Sequence, residues 1–362
     1  MRDEPRFTED ADRTVLWVST SIDTRGGVSS FVRTMQGTEL WLDWHIHHVA
    51  THSDGSRAKR IEIFLRAVPG LLRALLSRPA LVHIHMSSYG SFFRKSIVVW
   101  LAALLRVPVV LHVHGGEFHK FYSAAPVVMR AFIRRTLESA VVVVALGATW
   151  RQRLQRVAPK AKVVIVPNAV RLAHPVAQPS PGEPVRMLFL GRVADSKGTF
   201  DLLDAWAAAF GGNDQAARLT IAGDGEIDRA RKRVTALGLG ACVEILGWMP
   251  APQVDDLLGS SHVLVLPSYN EGQPMAILEA MAHGLCVLAT DVGGIPDLVD
   301  DRCGILIRPG DAAALAAGLT RVATASAERR AIAEASWHRA RDEFDATVVS
   351  RRLDTIYREI LS

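Results

Sequence analysis

Short runs of β-branched and aliphatic residues alternate with amphipathic helical patterns along nearly the whole chain, and that rhythm leaves few folds open. Strand-like runs at 14–20, 44–51, 81–85, 107–114, 139–145 and 163–167 form a first series. After Asn168 comes a stretch holding Pro175, Pro179, Pro181 and Pro184 without apolar periodicity, which reads as a linker. The series then restarts at 186–190, 218–222, 243–246, 262–266, 286–290 and 304–307. Strands separated by helices must run parallel, so each series predicts an α/β domain with a doubly wound sheet. The expected division is a first domain over 1–170, a linker over 171–185, a second domain over 186–340 and a terminal helix over 341–362. Phe344, Val348, Leu353, Tyr357 and Ile360 give that helix an apolar side with which to return to the first domain.

The formal charge of +5 conceals a split, because residues 1–168 hold 23 Lys/Arg against 12 Asp/Glu while the remainder holds 19 against 25. A basic half beside an acidic half suggests different partners for the two. For the first half these are an anionic membrane surface or a phosphorylated acceptor, unless the charge only solubilises. Residues 57–78 interleave five Arg and one Lys with Phe64, Leu65, Leu71, Leu72, Leu75 and Leu76, a pattern suited to lying on an anionic bilayer, unless Pro69-Gly70 merely divides two core-packed helices. The clusters at 92–95 and 130–135 would extend that surface. No run approaches the roughly 18–20 apolar residues of a membrane span, and the polar start of the chain lacks a secretory pattern. Cys242, Cys286 and Cys303 form no CxxC pair, as expected of a reducing compartment. The expectation is a cytoplasmic protein attached peripherally to the inner membrane face, with no nucleic-acid partner, since no reading motif accompanies the basic charge.

Three strand-to-helix loops carry candidate chemistry. Pro267-Ser268 leads through Tyr269, Asn270, Glu271, Gly272, Gln273 and Pro274 into a helix bearing Glu279. Proline suits the first helical position, and the amides beyond it favour an anion. Glu279 falls about two turns inside the helix and can share a cleft wall with Glu271, although such a pair also suits a solvated face. Gly191-Arg192 through Lys197-Gly198 projects two cations from one loop, a planar fork and a point charge that together match a diphosphate. Gly26-Gly27 after the first run permits a close backbone approach or simply a tight turn, and its spacing is not the GxGxxG of dinucleotide folds. His112 and His114 alternate along one strand and share a face, as do His83 and His85. No third ligand accompanies either pair at recognisable spacing, and no Asp-x-Asp stands at a strand end, so no metal is expected.

In order, Gly26-Gly27, His114-Gly115, Gly191-Arg192 through Lys197-Gly198, Gly223-Asp224-Gly225, Glu271 through Glu279 and Gly293-Gly294-Ile295-Pro296-Asp297 span most of the chain. Taken together they resemble the retaining family 4 glycosyltransferases. The resemblance implies the GT-B architecture: two Rossmann-like domains facing a cleft, an N-terminal one for the acceptor and a C-terminal one for a nucleotide sugar, with the C-terminal helix crossing back. It further implies that Arg192 and Lys197 bind the donor diphosphate, Glu279 the ribose, and Glu271 the transferred sugar, with His114 contacting that sugar. Leu246 opens the segment that frames the base, and Gly26, Gly27 and Gly223 lie by the donor. Gly272 and Gln273 complete the donor set. Gln273 before Pro274 departs from the commoner Glu-Gly-Phe-Gly and Glu-Gly-Leu-Pro patterns, which leaves the hexose open.

The expected function is therefore retaining, metal-independent transfer of a hexose from a UDP- or GDP-sugar to a glycan or lipid-linked saccharide in polysaccharide biosynthesis, without a cofactor. A nucleotide-sugar epimerase or a non-catalytic nucleotide-sugar-binding protein is the rival reading.

Overall fold

A computed structural model describes residues 13–180, 182–213 and 215–362. The polar N-terminal segment 1–12 and Pro181 of the expected linker lie outside the described residues. The chain divides into two compact units, one formed by Met1–Ala169 with Ala346–Ser362 and the other by Val170–Asp345.

The first unit contains β1 (Val15–Ser19), β2 (His47–Ala50), β3 (Leu81–Met86), β4 (Val109–Val113), β5 (Val142–Ala145) and β6 (Val163–Ile165). All pair in parallel in the order β2-β1-β3-β4-β5-β6. Strands covered on both faces read as unbroken apolar runs, and β1, β4 and β5 are buried at every position. On one face Leu16, Val18, Ile84, Met86 and Leu111 meet Leu71, Phe92 and Val99 of the helices Arg57–Leu76 and Gly90–Leu104. On the other, Val15, Trp17 and Val110 meet Phe31 and Met35 of helix Gly27–Met35 together with Val349, Leu353 and Tyr357 of the C-terminal helix Ala346–Leu361. The terminal helix is thus a structural layer of the first unit. Tyr357 is fully buried, and its hydroxyl accepts from Trp17 Nε1 at 3.0 Å, while Trp44 Nε1 donates to Asp354 at 2.8 Å.

The second unit contains β7 (Val185–Leu190), β8 (Ala217–Ala222), β9 (Val243–Ile245), β10 (Val263–Leu266), β11 (Cys286–Thr290) and β12 (Ile305–Ile307), again all parallel, in the order β12-β11-β10-β7-β8-β9. The architecture is two doubly wound, Rossmann-like sheets, as the alternation predicts.

Two boundaries differ from the sequence reading. The proline-rich segment is part of the second unit: Ala173 N–H donates to Ala282 O, Val176 N–H to His283 O, and Trp337 Nε1 to Ala173 O. Proline prevents a regular ladder there but leaves these isolated bonds available. The return helix begins at Ala346, after a π-turn over Ala340–Phe344, because Asp345 is extended (φ −58, ψ 141) and bridges to Val170. The 57–78 region forms one helix, Arg57–Leu76, with Pro69 inside it.

Candidate active site

In the second unit the chain leaves β7 toward β8 on one side and later returns to β10 on the other, so a crevice opens at the carboxyl ends of β7 and β10. Ligands of open α/β sheets bind at such a reversal. The loop after β7 makes a short 3-10 turn, Asp195–Lys197, ended by Gly198 at φ 67. A Cβ on Gly198 would collide with the Pro267 carbonyl, so the loops after β7 and β10 meet backbone to backbone. Tyr269 N–H donates to Ser196 O at 3.0 Å across that contact.

This lacing brings Lys197 Nζ to 2.5 Å from Glu271 Oε1. Ser268 Oγ donates to the same oxygen at 2.8 Å, and Thr290 Oγ1 donates to the Ser268 carbonyl. Glu271 keeps only 8% of its surface exposed. Behind it stands Gly293 at φ 59, where any Cβ would run into the Glu271 backbone. One carboxylate is therefore fixed by a cation, a hydroxyl and a glycine that lets the chains touch. Glu271 and Lys197 stand out in the sequence, whereas Ser268 and Gly293 carried no assigned role there; the signals were a hydroxyl three residues before Glu271 and a glycine pair after β11.

Arg192 is exposed and has no partner among the described residues. Gly191 N–H donates to Ala222 O and Gly223 N–H to Gly247 O, both at 3.0 Å, while Leu246 N–H reaches Ile221 O at 2.8 Å. Gly223 requires glycine because its φ is 152 and a Cβ would strike the Gly191 carbonyl. These bonds place Arg192, Gly223 and Leu246 along adjoining loops at the same sheet edge. Gly272 is half-buried and Gln273 buried in the loop with Glu271. Glu279 is half-buried on helix Met275–Ala282. Pro274 is the residue before that helix, at ψ 123, and not its first turn.

Gly26, Gly27 and His114 belong to the first unit. Gly26 caps helix Gly27–Met35 at φ 128 with nothing within 4 Å of where a Cβ would stand, so its backbone is open to a ligand. His114 follows β4, hydrogen-bonded to His85 across 2.9 Å. Burial pushes its imidazole down to about 3, so it is neutral and can orient a hydroxyl without acting as an acid. Strand pairing of His85 with His112 assembles the third imidazole that sequence spacing did not show: His83, His85 and His112 each place a ring nitrogen within 4.8 Å of the others. Within the cluster His83 Nε2 meets His112 Nδ1 at 3.3 Å, and His83 Nδ1 bonds the Tyr357 hydroxyl, while His85 Nε2 and His112 Nε2 are buried without a hydrogen-bond partner among the described residues. All three are pushed down by burial.

Apart from Gly26 and Gly27, the loops just described fall within two family segments. Residues 34–169 match the glycosyl transferase 4-like domain, and residues 184–325 match the glycosyl transferases group 1. The chain belongs to the family 4 glycosyltransferases of the GT-B type. Among relatives of this family, it is 31% identical over 182 residues to the amylovoran biosynthesis glycosyltransferase AmsK of Erwinia amylovora, covering 48% of this chain and 44% of that one. It is 35% identical over 193 residues to the 2-deoxystreptamine N-acetyl-D-glucosaminyltransferase of Streptomyces fradiae, covering 49% and 45%. The matched region spans about half the length of such relatives. Among solved structures, sucrose-phosphate synthase of Thermosynechococcus elongatus superposes with a TM-score of 0.79 at 19% identity, over 96% of this chain and 99% of that one. Anabaena HepE in complex with UDP superposes with a TM-score of 0.74 at 16% identity, over 96% and 100%. At these identities the likeness is one of fold.

Proposed function

We propose that the protein is a retaining, metal-independent glycosyltransferase that moves a hexose from a UDP- or GDP-sugar to a glycan or lipid-linked saccharide acceptor in polysaccharide biosynthesis. The observation that carries this reading is the Lys197–Glu271–Ser268 cluster at the switch-point crevice of the second unit, with Arg192 exposed on the same loop as Lys197. A diphosphate leaving group gathers negative charge as the glycosidic bond breaks, and preorganised cations stabilise that charge. Arg192 offers a fork and Lys197 an ammonium for it, which is the task a divalent ion performs in metal-dependent enzymes. Glu271, held by Ser268, is left to bond the sugar hydroxyls and to face an oxocarbenium-like carbon. In this reading the departing phosphate takes the acceptor's proton, so Glu271 need not attack. Glu279 holds the ribose, the Leu246 segment the base, and neutral His114 a sugar hydroxyl.

The test is a panel of UDP-, GDP- and ADP-sugars in EDTA, with nucleotide diphosphate release followed with and without lipid and glycan extract. Release from one donor that needs the extract and is lost in Lys197→Ala supports the proposal. Conversion of a donor to its isomer would support an epimerase, and binding without turnover a carrier.

Peripheral membrane attachment is supported by a separate observation. Ile61, Leu65, Leu72 and Leu76 form an exposed stripe on helix Arg57–Leu76, and Phe93, Ile97, Trp100 and Leu104 form another on helix Gly90–Leu104. Both recur at the spacing of one helical face. Phe92 and Lys95 of the 92–95 cluster are fully buried and do not contribute, a correction to the sequence reading. Absence of sedimentation with anionic vesicles at low salt would remove this part of the proposal.

A further inference from the structure

The first sheet has its own reversal, between the carboxyl ends of β1 and β3. Lys95 lies beneath it, 1% exposed, in the second turn of helix Gly90–Leu104. Its Nζ donates to the carbonyl of Ser19, the last residue of β1, at 2.9 Å, and to Thr51 Oγ1 just beyond β2. Both partners are neutral. A buried lysine whose partners carry no charge is rare because its desolvation is not offset by an opposite charge, and that burial, with Arg94 nearby, pushes its amine well below the ordinary lysine range.

Two guanidinium groups and an imidazole gather around it. Arg94 is half-buried, with its Nη1 3.3 Å from where a Cβ on Gly90 would stand, so the guanidinium folds back over the start of its own helix. Arg94 Nε and His52 Nδ1 are buried without a hydrogen-bond partner among the described residues. Burial lowers the Arg94 guanidinium and neighbouring Arg60 lowers it further; His52 is pushed down to about 4 by burial, then by Arg94, Arg60 and Lys95. Asp54 alone opposes them at His52, and its carboxylate also accepts the Arg25 N–H at 2.9 Å. The two guanidinium groups drawn together at a partly desolvated sheet edge repel one another, and a bound anion offsets that repulsion.

We infer that this crevice binds a phosphoryl or diphosphoryl group carried by the acceptor, with Arg94, Arg60 and His52 contacting its oxygens and the buried Lys95 lying beneath them. The inference rests on the proposed role of the first unit as the acceptor side. Several oxygens and a charge near two suit two guanidinium groups and an imidazole better than a single carboxylate does. A soluble sugar phosphate and a polyprenyl diphosphate saccharide share this chemistry.

The test has two arms. In the first, inorganic pyrophosphate is titrated calorimetrically into the full chain saturated with UDP, which keeps the probe from the second unit. Binding that weakens at least tenfold in Arg94→Gln and in Arg60→Gln, but not in the exposed control Arg351→Gln, is the expected result. No binding under UDP, or equal binding in all variants, would overturn the inference. The second arm compares a sugar phosphate with a short-chain polyprenyl diphosphate saccharide as acceptor: Arg94→Gln should raise KM at least tenfold for the acceptor used and leave kcat within about twofold, and an unchanged KM would overturn the inference. Lack of transfer to every acceptor, with pyrophosphate binding intact, would contradict the proposed function and not the anion site.

Discussion

The two switch-point crevices share a topology and differ in charge. At the β7/β10 reversal a lysine meets a nearly buried glutamate, which a serine and a glycine fix in place. At the β1/β3 reversal Lys95, Arg94, Arg60 and His52 gather with Asp54 as the carboxylate that opposes them. Parallel sheets wound both ways supply the crevice, and the loops supply its chemistry. A crevice with both signs can bond sugar hydroxyls as well as phosphate, whereas a cationic one selects anions.

The same contrast extends inward, and the largest expected effect follows from it. Eight described histidines of the first unit are pushed below their ordinary value, chiefly by burial, against His262 in the second. A histidine that is neutral when folded and ordinary when unfolded lends its full stability above about pH 6.5 and loses it as pH falls toward its folded value. Each tenfold loss of proton affinity on folding corresponds to about 1.4 kcal/mol. Acidification from pH 6.5 to pH 4 should therefore open the first unit before the second, read as proteolytic cleavage within 13–169 while 185–325 stays intact. Simultaneous loss of both would break the comparison.

At the second crevice, Lys197→Ala should lower kcat by about 10²–10³, the range for removing one group that stabilises a developing anion. An equal rise in KM with kcat unchanged would make Lys197 a ground-state binding group. Gly293→Ala places a Cβ against the Glu271 backbone at φ 59 and should destabilise the second unit by roughly 3 kcal/mol, read by urea denaturation. Tyr357→Phe removes the acceptor of Trp17 Nε1 and the partner of His83 and should cost the first unit about 1–3 kcal/mol. A neutral result would show that the Tyr357 hydroxyl adds nothing to the apolar contacts and the Trp44–Asp354 bond that hold the terminal helix.

Much of this was legible in the sequence, for identifiable reasons. Parallel strands announce themselves as short β-branched and aliphatic runs, so all twelve among the described residues appear within a few residues of their observed limits. Glu271 and Lys197 stand in loops where strand gives way to helix. What escaped depends on contacts between distant segments. Asp345 and Val170 pair across a long separation in the chain, which sets the return helix at Ala346. The third imidazole of the histidine cluster follows from the register of β3 on β4. Lys95 read as part of a basic surface because its burial depends on where the helix crosses β1 and β2.

Hydrogen–deuterium exchange with and without a saturating nucleoside diphosphate in EDTA tests the division of labour most directly. UDP or GDP should slow exchange most in peptides covering 191–198, 223–226 and 268–279. Slowing confined to 52–60 and 87–95, or saturated binding that leaves 191–198 and 268–279 unchanged, would contradict that assignment.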